Sequence, residues 1–181
     1  ANTYAEGECE QILGQLLKTI HRSQYLLATK LFFPIFEGPN GKGLSRKHII
    51  ESTHQSLERL NVDYIDVLQM HRYDPDTPIE EVVETVRNLR CQGKILYWAV
   101  SQWSTKQLKA AIDLGEKPIW NQLPFNYFYR KNANLISEMR KLGVDCLGYG
   151  ALAQGVINES YLSAGHSEGS RLFHRQASQS L

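Results

Sequence analysis

The sequence has 181 residues, of which 42% are hydrophobic and 22% are charged, as is typical of one globular domain with its own core. Its 20 Lys and Arg residues nearly balance 19 Asp and Glu residues, and the net charge of +1 argues against nucleic acid as a partner. The three cysteines are scattered, which argues against a disulfide framework. The sequence has no apolar run of about 18 residues that could span a membrane. We therefore expect a cytoplasmic protein without membrane insertion.

Short apolar runs alternate with amphipathic stretches along the chain. The amphipathic stretches predict helices, and they cover residues 7–20, 45–60, 77–93, 104–115 and 134–142. The apolar runs are rich in β-branched, aromatic or leucine residues and predict buried strands. These runs cover residues 25–33, 64–71, 95–101, 118–125 and 144–149.

Capping residues predict where several of these helices begin and end. Ser45 can cap the helix that follows it. Residues 77–80 (TPIE) predict a capping box with Pro78 at the first helical position, and Ser104 with Gln107 predicts a second capping box. Three glycines are expected just after helix ends: Gly93, Gly115 and Gly143.

Strands that are buried on both faces and joined by helices predict a parallel sheet. Right-handed crossovers leave a doubly wound sheet or a (β/α)₈ barrel. The GxGxxG motif of dinucleotide-binding doubly wound sheets is absent, and the glycine-rich segment 37–43 lacks the ending of a phosphate-binding loop, so we interpret it as a flexible βα loop. Residues 158–181 show no periodicity and are predicted to form a loop or tail. Residues 1–181 as a whole are predicted to form a single domain.

Polar residues lie at or near the ends of these apolar runs. In a parallel barrel the carboxyl ends of the strands meet at one mouth, where active sites lie, so these residues form a candidate catalytic and cofactor-binding group. They are Lys30, His71, Ser101, Gln102, Asn121, Gln122 and Tyr149. Each alone is also compatible with an ordinary role at the rim or in the core, and it is the combination that favours function.

The other histidines do not form a metal-binding pattern. They lack the spacing of metal ligands, so no metal site is expected, and we interpret them as surface residues. They are His21, His48, His54, His166 and His174.

Six segments, in this order, resemble motifs of the aldo-keto reductase family. They are ANTYAEGECEQILG (1–14), LLATK (26–30), YIDVLQMHRYDPDTPIEE (64–81), AVSQW (99–103), NQLPFNYFYR (121–130) and LGYGALAQGVI (147–157). The resemblance extends from residue 4 to about residue 171. Segments 43–52 and 72–81 are similar to the branch that includes β subunits of voltage-gated potassium channels.

The resemblance implies an NADPH-dependent (β/α)₈-barrel enzyme that reduces a small-molecule carbonyl substrate. Tyr4 would protonate the carbonyl oxygen, Lys30 would stabilise the tyrosinate beside it, and His71 would orient the substrate. Channel β subunits often depart from the family at this histidine, so its presence favours an active reductase.

The resemblance also implies a set of cofactor-binding residues. Ser101, Gln102 and Gln122 would hold the carboxamide of the nicotinamide, and Tyr149 would stack on its ring. Gln102 replaces the usual Asn. Gly150 and Leu152 would lie in the turn near the pyrophosphate, where Gly150 and Ala151 replace the family's Ser and Pro.

A complete (β/α)₈ barrel needs about 250 residues, and the five predicted strands correspond to the family's third to seventh. We therefore expect an incomplete barrel whose catalytic aspartate would precede residue 1. Two alternatives stay open beside the reductase. One is a regulatory nicotinamide-binding module of the channel-subunit type, with a channel-like partner or as a homo-oligomer, and the other is an inactive truncated remnant.

Overall fold

A computed structural model describes residues 1–38, 40–157 and 159. Within these residues five strands form one parallel sheet in chain order, β1-β2-β3-β4-β5. Each predicted strand is confirmed, with bounds at or inside the predicted run. The strands are β1 (Ala28–Leu31), β2 (Ile65–Met70), β3 (Ile95–Ser101), β4 (Trp120–Pro124) and β5 (Asp145–Tyr149).

Five α-helices are described, one before β1 and one between each pair of successive strands. They are α1 (Glu8–Leu17), α2 (Arg46–Leu60), α3 (Ile79–Cys91), α4 (Thr105–Asp113) and α5 (Ala133–Lys141). Short 3₁₀ helices are Tyr4–Gly7, Arg22–Gln24 and Ala153–Gly155. This repeated strand–helix order is the one predicted for a parallel α/β fold and agrees with part of a (β/α)₈ barrel.

The core lies between the sheet and the helices that cover one of its faces. Buried core residues from the sheet include Leu68 and Val100, and those from α2 and α3 include Ile49 and Val86. Successive side chains of a strand point to opposite faces, so Lys30 lies on the face opposite Leu31, which is buried. The packed helices thus support a second face that carries the polar side chains.

The expectation that every strand is buried on both faces is wrong for β5. All six residues of β2 are buried, whereas Leu147 and Tyr149 of β5 are 41% and 38% exposed. In the described sheet β5 pairs only with β4 and forms an edge. The face opposite the helices is therefore open at this edge, and Tyr97 of β3 is also exposed.

The predicted helix caps are confirmed except at α3. The Ser45 side chain accepts from His48 N, and Ser104 and Gln107 form both bonds of a capping box. The three predicted glycines each follow a helix end with a positive φ: Gly93 (68°), Gly115 (84°) and Gly143 (69°).

The capping box predicted at Thr77 is wrong. Pro78 occupies the N-cap position of α3 rather than its first helical position, and no side chain caps this end. The Thr77 hydroxyl donates instead to Asp74 Oδ2 at 2.8 Å. Asp74 also accepts from Leu44 N at 2.7 Å, so this carboxylate ties the β1–α2 loop to the turn before α3.

The interpretation of His48 as a surface residue is also wrong, because its side chain is buried at 1% exposure. Its Nδ1 lies 3.1 Å from Asn40 O and its Nε2 lies 3.4 Å from Ser52 Oγ. Burial is the main cause that lowers the pKa of His48. This histidine joins the β1–α2 loop, which is confirmed as a βα loop, to α2.

Two further predictions concern membranes and the end of the chain. No helix within the described residues combines the length and the apolar character needed to cross a membrane. The predicted loop or tail over 158–181, with His166 and His174, lies outside the described residues except for Glu159.

Candidate active site

The three side chains predicted to be catalytic lie together at the carboxyl ends of β1 and β2. Lys30 Nζ donates to the Tyr4 hydroxyl at 3.4 Å, and it lies 5.3 Å from the centroid of the Tyr4 ring. The rings of Tyr4 and His71 meet edge to face with their centroids 6.0 Å apart. A proton-bearing hydroxyl, a cation and an imidazole thus share one corner of the sheet.

Tyr4 reaches this corner because the chain before α1 folds back onto the end of β1. The backbone N–H of Asn2 donates to Lys30 O at 2.9 Å. Ala5 and Glu6 then adopt positive φ angles of 46° and 53°, which turn the chain into α1. The backbone therefore holds Tyr4 beside Lys30, and the Tyr4 side chain stays 46% exposed.

His71 is held in its neutral form. Burial, followed by the nearby positive charges of Lys30 and Arg72, lowers its pKa to about 4, because both effects disfavour a charged imidazole. Its ring packs against Phe33 with centroids 4.8 Å apart, and its Nδ1 is buried without a hydrogen-bond partner among the described residues. A neutral imidazole can still donate one hydrogen bond.

Four of the residues predicted to bind the cofactor form a second group at the ends of β3, β4 and β5. The Ser101 hydroxyl donates to the backbone oxygen of Gln122 at 3.1 Å, and Gln102 N donates to the same oxygen at 3.0 Å. Gln102 Nε2 donates to the Tyr149 hydroxyl at 2.5 Å. The amide nitrogen of Gln102 is therefore hydrogen-bonded to Tyr149 in this structure. The backbone of Gln102 has a positive φ of 59°.

The two remaining predicted residues lie in the turn after β5. Gly150 has a φ of 69°, and its carbonyl oxygen accepts from Asn126 Nδ2 at 3.0 Å. Leu152 is 63% exposed and begins the 3₁₀ turn Ala153–Gly155 as its N-cap residue. Gly150 directly follows Tyr149 and adjoins the second group, whereas Leu152 lies farther along this turn.

Gln69 links the two groups and was not among the predicted site residues. It is the register partner of Lys30 in the neighbouring strand, it is 2% exposed, and its Nε2 donates to Gln122 Oε1 at 2.8 Å. The sequence contained one signal for it, a lone amide inside the apolar run 64–71.

A cleft of about 870 Å³ opens beside the catalytic corner. Its lining includes Thr3 and Glu6 from the segment around Tyr4, with Ile35 and Phe36 from the β1–α2 loop. Tyr4 itself is not in the lining. We therefore define the candidate active site by the convergent side chains and not by this cleft.

Comparison with known proteins decides the family. The model of the Aldo/keto reductase family matches residues 1–176, nearly the whole chain. This chain belongs to the aldo/keto reductase family. Its fold is accordingly that of a (β/α)₈ barrel, of which the described sheet provides five parallel strands.

Three similar curated proteins are described as potassium channel subunits. The chain is 38% identical over 170 residues to a probable voltage-gated potassium channel subunit beta of Arabidopsis thaliana, covering 89% of this chain and 52% of the relative. A probable subunit of Oryza sativa subsp. japonica is 38% identical over 172 residues (89% and 52%). A putative subunit of Schizosaccharomyces pombe is 36% identical over 182 residues (95% and 53%). The chain thus spans about half the length of these relatives.

The second group has chemistry that fits a nicotinamide carboxamide. Gln122 Nε2 donates to no acceptor among the described residues, while its Oε1 is occupied by Gln69. The Ser101 hydroxyl donates a hydrogen bond to Gln122 O, and its oxygen keeps lone pairs that can accept another. A free donor and a free acceptor therefore adjoin the half-exposed ring of Tyr149, and they match the acceptor and donor of an amide.

Proposed function

We propose that this chain belongs to an NADPH-dependent oxidoreductase that reduces aldehydes or ketones to alcohols. The family assignment supports an oxidoreductase of this general kind. The single observation that carries the proposal is the Lys30–Tyr4 contact of 3.4 Å with His71 against the same ring. A hydroxyl next to a fixed cation is arranged to give up a proton.

Tyr4 donates that proton to the oxygen of the substrate carbonyl. As the proton leaves, negative charge develops on the phenol oxygen, and the Lys30 ammonium stabilises it at hydrogen-bond distance. Lys30 takes part in none of the ion pairs between described residues, so its charge is available for this purpose. His71 donates a hydrogen bond to the carbonyl oxygen from its neutral ring and orients the substrate.

A bound nicotinamide cofactor supplies the hydride in this chemistry. Ser101 and Gln122 would hold the carboxamide edge, and Tyr149 would contact the ring. These residues would fix the position of the reacting carbon, and Gly150 and Leu152 would contact the remainder of the cofactor.

The proposal is tested by Tyr4→Phe, which removes the proton donor and keeps the ring. We expect NADPH-dependent reduction of a simple aldehyde to fall at least about 100-fold while NADPH affinity stays within about twofold. The measurement is NADPH consumption at 340 nm together with a binding titration.

Tyr97→Phe is the matched control, because it makes the same chemical change on an exposed side chain of β3, before the strand's carboxyl end. We expect it to leave turnover unchanged. Undiminished turnover in Tyr4→Phe would contradict the assignment of Tyr4 as proton donor.

A second candidate function is a regulatory nicotinamide-binding module associated with a channel. The description of the three relatives as voltage-gated potassium channel subunits favours it. A chain that binds NADPH and turns over no aldehyde would support this candidate. The presence of His71 beside Tyr4 supports the reductase.

A further inference from the structure

A row of three hydrogen-bonded side chains runs from Trp120 of β4 to Gln69 of β2 and back to Gln122 of β4, on the face of the sheet opposite the helices. Trp120 Nε1 donates to Gln69 Oε1 at 2.9 Å, and Gln69 Nε2 donates to Gln122 Oε1 at 2.8 Å. Trp120 and Gln122 are two residues apart on β4 and point to the same face. Gln69 therefore accepts from one residue of β4 and donates to another.

Gln69 reaches β4 across an intervening strand. It is paired in register with Ala99 of β3, and β3 in turn lies between β2 and β4. Strands lie about 4.8 Å apart, so a side chain that bonds two strands away must pass over the residue between them. The small side chain of Ala99 leaves that space, and a larger residue would fill it.

Trp120, the first side chain in this row, fixes the orientation of the Gln69 and Gln122 amides. An indole N–H is a donor only, so the end of Gln69 that faces Trp120 must be its oxygen. The amide nitrogen of Gln69 then faces Gln122 and requires an oxygen there. Gln122 is left with its NH₂ end as the free end, and a reversed Gln122 would place two NH₂ groups against each other.

We infer that Gln69 is a positioning residue, set by Trp120, that makes Gln122 present a hydrogen-bond donor to the carbonyl oxygen of the nicotinamide carboxamide. This inference rests on the proposed function, because it needs the cofactor at the second group of residues. The Ser101 hydroxyl donates to Gln122 O, so its oxygen accepts from the NH₂ of the same carboxamide. The two contacts together select one orientation of the carboxamide.

The test compares the affinities of two oxidised dinucleotides, NADP⁺ and its 3-acetylpyridine analogue, for the full chain by calorimetry at pH 8. The analogue keeps the carbonyl group attached to the ring and replaces the amide NH₂ by a methyl group. Its substituent can therefore accept a hydrogen bond and cannot donate one. The quantity of interest is the ratio of the two dissociation constants, analogue over NADP⁺.

Gln69→Glu keeps the size of the side chain and removes its donor, so Gln122 turns its NH₂ towards Glu and shows its oxygen to the cofactor. The amide of NADP⁺ can rotate to donate to that oxygen, whereas the analogue cannot. We expect the ratio to rise about tenfold, the effect of one unsatisfied polar contact. Trp120→Phe frees Gln69 to adopt both orientations, and the ratio should rise about threefold.

Two matched controls make the same chemical changes elsewhere. Gln92→Glu alters an exposed amide at the end of α3, and Trp98→Phe removes an indole whose Nε1 has no partner among the described residues. Both should leave the ratio within about twofold of the original chain. If Gln69→Glu does not fold, Trp120→Phe decides by the same ratio.

The outcomes separate this inference from the proposed function. A chain that binds NADP⁺ and shows an unchanged ratio in folded Gln69→Glu, or in Trp120→Phe where the former is unfolded, contradicts the inference alone. No binding of NADP⁺ by the unaltered chain overturns the cofactor site and this inference with it. A raised ratio in both variants with flat controls supports the positioning role.

Discussion

His71 is the residue whose charge state matters most for the proposed chemistry. Burial, and then the cations of Lys30 and Arg72, lowers its pKa to about 4, so the imidazole is neutral at pH 7. A charged imidazole here would face the positive charges of Lys30 and Arg72. No carboxylate contributes to the pKa shift of His71. In the proposed chemistry this histidine acts as a neutral donor beside Tyr4.

The protonation of His71 makes a prediction about pH. An unfolded histidine titrates near ~6.5, so the unfolded chain binds this proton more readily than the folded chain. The contribution of His71 to stability is complete above pH ~6.5 and is lost as pH falls from there towards about 4. The NMR titration of the assigned His71 ring proton should show no transition between pH 7.5 and 5.

A midpoint for His71 near ~6.5 would contradict the buried, cation-flanked environment. The His71→Gln variant should also lose part of the stability difference between pH 7.5 and 5 that urea unfolding measures.

Single residues also show where sequence interpretation stops. Lys30 and His71 were predictable because each is a polar residue at or near the end of an apolar run. Tyr4 came only from the family resemblance, because it precedes every described strand. Gln69 was missed because its role depends on Trp120 and Gln122, which lie two strands away in the sheet, and one amide in an apolar run does not reveal a partner at that separation.

At the scale of elements, the position of Tyr4 depends on how α1 packs on α2. Gly14 of α1 lies so close to the end of α2 that an added Cβ would be 2.6 Å from Leu60 O and 2.7 Å from Arg59 O. Four residues before Gly14, the Glu10 carboxylate, 3% exposed, accepts from Arg59 Nε at 2.8 Å. Close helix contact and a buried ion pair together fix the segment that carries Tyr4.

Gly14→Ala is therefore expected to destabilise the chain, although alanine favours a helix by about 1 kcal/mol over glycine. The new methyl group must push α1 away from backbone atoms, and we expect a loss of about 1–3 kcal/mol. Urea unfolding followed by circular dichroism measures it. Gln11→Ala, on an exposed position of the same helix, is the control and should change stability by less than about 0.5 kcal/mol.

A Gly14→Ala variant as stable as the original chain would show that α1 can move without cost. In that case the backbone contacts of α1 would not be what places Tyr4 beside Lys30.

Element order, helix caps and glycine-ended helices followed from local patterns, because each depends on residues three or four apart. The exception at α3 has a tertiary cause. Thr77 had the right neighbours for a capping box, yet its hydroxyl bonds Asp74, which also holds Leu44 N from the β1–α2 loop. A carboxylate engaged by a distant loop can outcompete a local cap, and periodicity carries no sign of it.

At the scale of the whole molecule, helices cover one face of the sheet, and the opposite face is open towards the β5 edge. The helices bury one face, while Tyr97, Leu147 and Tyr149 remain exposed on the strands. The strand pattern predicted buried strands throughout because apolar content does not tell whether a second layer covers the other face. The open face carries every side chain of the proposed chemistry that lies on the sheet.

The family assignment and the site geometry both support the central proposal, that this open face binds a nicotinamide cofactor. The chain covers about half of its curated relatives, so the claim concerns the residues present here. Within the described residues, the Ser101 oxygen keeps lone pairs that can accept and Gln122 Nε2 has no acceptor, and both lie on this face with the ring of Tyr149.

The most direct test is a fluorescence titration of the chain with NADPH, alongside Gln122→Leu, which removes the free donor, and Gln92→Leu as an exposed control. The account predicts saturable binding in the micromolar range, weakened at least about tenfold in Gln122→Leu and unchanged in Gln92→Leu. No saturable binding by the unaltered chain, or equal affinity in Gln122→Leu, would contradict it.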